Sequence, residues 1–104
     1  MSAPPATAWK ILTAPEWAAF QATGSFEGSP ADLRDGFIHL STADQVEGTL
    51  ANHFAGQSGL VLVEIDLDAL GDTLRWEESR GGALFPHYFG ALPLEAVRAA
   101  RPQS

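Results

Sequence analysis

The period of apolar and polar positions changes several times along this chain, and each change marks the start of an element. Trp9-Lys10-Ile11-Leu12 reads as a short strand. Thr13, Pro15 and Glu16 then supply a cap, an early proline and an acidic first turn, which predict a helix to about Thr23, closed by Gly24. Residues 25–34 carry Gly28, Ser29 and Pro30 and read as a connecting loop. From Phe37 to Ser41 the residues alternate as in a strand, so Ile38 and Leu40 share one face while Phe37, His39 and Ser41 share the other. Thr42, followed three positions later by Gln45, is a capping-box pattern that opens a second helix over Ala43 to Ala55. Val46, Leu50 and Phe54 recur there at four-residue spacing and stack toward a core, with Gly56 as the stop.

Leu60 to Asp66 is the strongest strand pattern, a β-branched apolar run suited to burial on both faces and hence to the centre of a sheet. Asp68 to Gly71 reads as a tight turn, Thr73 to Glu77 as a half-buried strand, and Ser79 to Gly82 as a flexible loop. Leu84 to Phe89 places Phe85, His87 and Phe89 on one face, with Tyr88 opposite, and Pro86 assigns it to a sheet edge or an irregular strand. Pro93 to Val97 suggests one helical turn, and Val97 to Arg101 a last strand. The order predicts an α+β fold with a mainly antiparallel sheet and two main helices, as one domain over residues 9–102 behind a flexible tail of residues 1–8. Neither a glycine-rich dinucleotide fingerprint nor a P-loop is present, since Gly81-Gly82 lacks the partner glycine and the lysine.

Composition narrows the function classes. The chain has 104 residues, of which 45% are hydrophobic, enough for one core and too few for two. Six basic residues against thirteen acidic ones leave a net charge of -7, and Lys10, Arg34, Arg75, Arg80, Arg98 and Arg101 form no stripe. General nucleic-acid binding and attachment to anionic lipid, both of which need clustered cations, are not expected. No cysteine occurs, so disulfides, thiolate nucleophiles and cysteine metal sites are excluded and a reducing cytoplasm is the expected location. The first eight residues lack the charged and apolar regions of a secretory signal, and no apolar run approaches membrane-spanning length.

The polar chemistry collects at two histidines. Phe37-Ile38-His39 and Phe85-Pro86-His87 each put a phenyl ring and an imidazole on one strand face, so neighbouring strands would bring both imidazoles to one aromatic-lined pocket. There His39, Ser41 and His87 would act as donors or as general acid and base. The alternative is that each is a hydrogen-bonded structural side chain. The helix start at Thr42 adds amide donors suited to an anion. Glu77 is a candidate base or ribose ligand, and Arg80 a phosphate partner through its planar fork, while Glu78 reads as surface. His53 reads as a helix-edge residue. The histidine spacing supports no metal site, and Ser41 lacks the glycine pair of a nucleophile elbow.

Taken together, Trp9-Lys10-Ile11, the run from Asp35 to Thr42, Gln45-Val46, Trp76-Glu77 and the run from Gly82 to Gly90 resemble the bacterial domain-of-unknown-function family 952, in its usual order, from about Trp9 to Pro102. The resemblance implies a fold related to the ADP-ribosyltransferases, with a split, mostly antiparallel sheet whose cleft takes NAD or an ADP-ribose derivative. Carried onto this chain, it implies ligand contacts at Lys10, His39, Ser41 and Thr42, and a catalytic residue at His87 or Glu77. NAD would then be a substrate and the partner a small anionic ligand or nucleotide; a non-catalytic module that binds a small anion or serves as an interaction domain is the alternative. Two positions depart from the family pattern. Lys10 stands where many relatives have a histidine, and Tyr88-Phe89 moves an aromatic hydroxyl by one position.

Overall fold

The computed structural model describes residues 5–79 and 82–103. At its centre lies β4 (Leu60–Asp66), antiparallel to β1 (Thr7–Thr13) on one side and to β8 (Val97–Gln103) on the other. On one face of this sheet Val63 and Ile65 pack with Ala8, Leu12 and Phe20, the last from α1 (Ala14–Thr23). On the other, Leu60 and Leu62 join Ile11 beneath Val46, Leu50 and Phe54. A strand covered on both sides has no polar face, which is why the apolar run is unbroken from Leu60 to Val63. Strand β1 starts earlier than the alternation predicts: Thr7 and Ala8 pair with Asp66 and Ile65, so these two residues belong to the sheet and not to a tail.

Helix α1 forms as its end signals require. The Thr13 hydroxyl accepts from the Glu16 N–H, the Glu16 carboxylate accepts from the Thr13 N–H at 2.9 Å, and Gly24 closes the helix at φ 81°. The expected loop over residues 25–34 is instead a short strand β2 (Ser25–Phe26) and a six-residue helix α2 (Pro30–Asp35). Ser29 and Asp32 close a second full capping box around Pro30, and Gly36 ends the helix at φ 87°. Six residues are too few to display a helical period, so only the cap chemistry could have revealed it.

Helix α3 (Val46–His53) is shorter than its pattern. Half of the expected capping box forms, with the Gln45 side-chain oxygen accepting from the Thr42 N–H at 3.0 Å, while no side chain caps the first helical amides. Residues 43–45 therefore turn before the helix begins, and Phe54 has already left helical geometry at φ -128°.

A second sheet has the order β3 (Ile38–His39), β6 (Leu84–Tyr88), β5 (Leu74–Glu78). Pro86 thus sits in the middle strand, not at an edge. Its carbonyl accepts from the Leu40 N–H at 3.0 Å, so its nitrogen faces the β3 side as well; the bond an N–H at position 86 would return to Leu40 is missing, and β3 ends there at the cost of that single ladder bond. A 3-10 segment, Leu67–Thr73, replaces the expected tight turn, and β7 (Leu92–Pro93) pairs with β2 before a 3-10 turn at Leu94–Ala96 leads into β8. Every pairing among the described strands is antiparallel, and the fold is α+β. Among the described residues, one isolated bridge joins the two three-stranded sheets, Trp9 and Ser41 exchanging N–H to oxygen bonds of 2.7 and 2.9 Å. A cleft opens where the sheets part.

Candidate functional site

The cleft has a volume of about 660 Å³ and is walled by β1, α2, the β3 to Ser41 segment, the far end of α3 and β6. Register alone sets its centre. His39 and His87 are direct partners in the β3–β6 ladder, which places their ring centroids 5.5 Å apart. Phe37 lies against both, stacked on His87 at 4.1 Å and tilted to His39 at 4.6 Å. Ile38 and Leu40 point the opposite way into the core, as alternation demands, and Tyr88 packs against that core too.

Each imidazole is held by carboxylates, but differently. His87 is buried, and its Nδ1 lies 2.9 Å from Oε1 of the half-exposed Glu77. Donation from Nδ1 to that carboxylate leaves Nε2 as the acceptor, the arrangement of a general base. No further hydrogen bond to the His87 ring is present among the described residues.

His39 is fixed by Asp32, a residue absent from the candidates read in the sequence. The Asp32 carboxylate takes the His39 ring Nδ1 at 2.6 Å and the His39 backbone N–H at 3.1 Å through Oδ1, and the Ser29 N–H at 2.9 Å through Oδ2. Lys10 Nζ completes the cage at 2.8 Å from Oδ2, with a further bond of 3.1 Å to the His39 carbonyl. Burial by itself would raise the Asp32 carboxyl, but the His39 hydrogen bond, the Lys10 charge and hydrogen bond, and the Ser29 amide outweigh it and hold Asp32 well below the ordinary carboxylate value. Burial likewise pushes the Lys10 ammonium down, against the upward pull of Asp32. The sequence signal for Asp32 was its place three residues after Ser29, the same spacing that marks Glu16 after Thr13.

Lys10 therefore lines the cleft with its ammonium already engaged by Asp32 and the His39 carbonyl, which leaves it a positioning role more readily than a phosphate-holding one. Ser41 lines the cleft and its hydroxyl bonds Thr49 Oγ1 at 2.9 Å, not an imidazole. Thr42 stands apart from the wall, and the amide that would greet an anion is taken by Gln45. His53 reaches the rim. Glu78 is exposed. Arg80 lies outside the described residues. The rim adds Arg34 and Asp35: Asp35 Oδ1 receives Arg34 Nε at 3.2 Å, and its Oδ2 faces His39 Nε2 at 3.0 Å. The Arg34 bond, and then His39, keep the Asp35 carboxyl below its ordinary value. Among the described residues no group of side chains could hold a metal ion.

The profile of the family described as "Protein of unknown function (DUF952)" matches residues 11–100. The chain belongs to DUF952. Among solved structures, the crystal structure of protein CC0527 from Caulobacter crescentus is 46% identical, covers 94% of this chain and 86% of its own, and superimposes with a TM-score of 0.91. The solution structure of the same protein gives 46% identity, coverage of 94% and 84%, and a TM-score of 0.83. No curated protein matches the chain. This DUF952 chain has no helix long and apolar enough to cross a membrane among its described residues.

Proposed function

We propose that the cleft binds an NAD- or ADP-ribose-type ligand and performs ribosyl transfer or hydrolysis at its C1 carbon, with His87 as the proton acceptor and Glu77 as the group that orients it. The observation carrying this reading is the 2.9 Å hydrogen bond by which Glu77, itself behind the cleft lining, holds one nitrogen of the wall residue His87 and leaves the other for a reacting group. The two antiparallel sheets that part beyond the Trp9–Ser41 bridge support a relation to the ADP-ribosyltransferase fold.

Among the described wall residues three carboxylates, Glu16, Asp32 and Asp35, face two fixed cations, Lys10 and Arg34, and both cations are already paired with an aspartate. Such a wall suits the positive charge that develops at C1 in an oxocarbenium-like transition state. In the hydrolytic case water forms the C1–O bond as the C1–N bond breaks. The bonding pair leaves with nicotinamide, neutralising its ring, and the water proton passes to His87 Nε2 and on to solvent. Ser41, bonded to Thr49 at the cleft wall, would hold a ribose hydroxyl.

Titration with NAD and ADP-ribose by calorimetry, followed by measurement of nicotinamide release, tests the reading. Wild type should bind and turn over, and His87→Ala should lower turnover by about a hundredfold or more, the usual worth of a positioned acid or base. Binding without turnover would favour a non-catalytic module for small anions. Absence of binding to either ligand would overturn the NAD or ADP-ribose reading.

A further inference from the structure

We propose that Asp35 competes with an anionic group of the ligand for the Nε2 hydrogen of His39, and so sets the affinity of the cleft for phosphate-bearing molecules; the identity of that anion as the pyrophosphate of a nucleotide rests on the reading above.

The two carboxylates on the His39 ring are unequal. Asp32 grips Nδ1 at 2.6 Å with a side chain only 1% exposed, and it is itself held by Lys10 and the Ser29 amide, so the ring cannot swing. Asp35 meets Nε2 at 3.0 Å with a side chain 36% exposed. Carboxylate oxygens thus stand within hydrogen-bond reach of both ring nitrogens, and a hydrogen on Nε2 faces Asp35. A half-solvated pair of this kind contributes little net free energy, because both partners are well served by water. An incoming phosphate oxygen, with more charge and more lone pairs, therefore displaces it readily.

The position of Asp35 makes the point sharper. It is the last residue of α2, before the Gly36 cap, where a carboxylate opposes the helix dipole, so helix stability does not account for it. Its other oxygen holds Arg34 Nε at 3.2 Å. Displacing Asp35 thus frees two donors at once, the His39 N–H and the Arg34 fork, both on the cleft wall that His87 shares. Arg34 and His39 together match the fork-and-point recognition that phosphate groups take.

The test measures calorimetric affinity for ADP-ribose and, separately, for inorganic pyrophosphate, with wild type, Asp35→Ala, Asp35→Asn, His39→Gln and the Asp35→Ala/His39→Gln double variant. Asp35→Ala should bind both anions about threefold more tightly, the scale of an exposed charge pair, with Asp35→Asn between it and wild type. The gain should shrink in the His39→Gln background, where removal of Asp35 still releases the Arg34 fork but no longer the imidazole. The side-chain nitrogen resonance of His39 should move at lower pyrophosphate concentration in Asp35→Ala than in wild type. Weaker or unchanged binding by Asp35→Ala, a gain of undiminished size without His39, or a His39 resonance that no anion moves would each overturn the proposal. If pyrophosphate shows the gain while ADP-ribose binds no variant, competition at His39 stands and the nucleotide reading falls.

Discussion

Asp32 is the residue on which the site's geometry turns, because one buried carboxylate positions a lysine, an imidazole and a helix start together. Replacing it with Asn leaves the Lys10 ammonium buried without a counter-charge, and loss of one partner from a buried pair costs about 3 kcal/mol or more. Denaturant unfolding of Asp32→Asn should show that loss. Adding Lys10→Met should recover much of it, since the stranded charge is then gone. The pH dependence follows from the same carboxyl. Its folded-state value lies below the ordinary 3.8, so the unfolded chain takes up the proton first as pH falls. The stabilisation from Asp32 is complete above that ordinary value and is lost below it, toward the folded-state value. Acid unfolding of wild type should therefore be steeper below about pH 4 than that of Asp32→Asn. At Glu77 the expectation differs: its side chain is 43% exposed, so Glu77→Gln should leave the unfolding midpoint within about 0.5 kcal/mol of wild type. The same variant should lower nicotinamide release by misorienting His87.

At the scale of elements, short turns place the chemistry. Gly28 precedes the Ser29 cap of α2 at φ 134°, and a Cβ there would come within 2.9 Å of Asp32 Cβ. Gly28→Ala should cost about 2 kcal/mol in unfolding free energy from the disfavoured backbone alone. It should also shift the His39 ring resonances, because the added methyl pushes on the carboxylate that holds them. The capping chemistry of Thr13 with Glu16 was legible because an apolar strand and a full-length helix framed it. The identical spacing in Ser29 and Asp32 was obscured by a helix of six residues with no apolar period of its own. Pro86 misled for a different reason. A proline is tolerated in a middle strand where only one ladder bond is lost, and here the loss falls opposite Leu40, at the point where β3 ends.

For the whole molecule, β4 is the member of the large sheet that is paired on both edges and covered on both faces. Its amides should exchange most slowly with deuterium, and those on the outer edge of β8 much faster, since opening the edge strand exposes little apolar surface. Ile65→Ala should cost about 3 kcal/mol, whereas Leu84→Ser, at a position 52% exposed, should stay within about 0.5 kcal/mol of wild type. Local pattern was enough to determine which residues face the core, where α1 starts and stops, that β4 is central, and that His39 and His87 each share a strand face with a phenylalanine. Such features depend on the period of side chains and on backbone ends within a few residues. Tertiary structure alone decided that the two imidazoles are register partners, that Lys10 spends its charge on Asp32, and that Asp35 reaches Nε2 of His39. Those contacts join residues up to 48 positions apart in the chain, as in the pairing of His39 with His87, and they exist only because packing on the two sheets fixes strand order and register. Hydrophobic period encodes the face a residue takes, but not the neighbour it meets there.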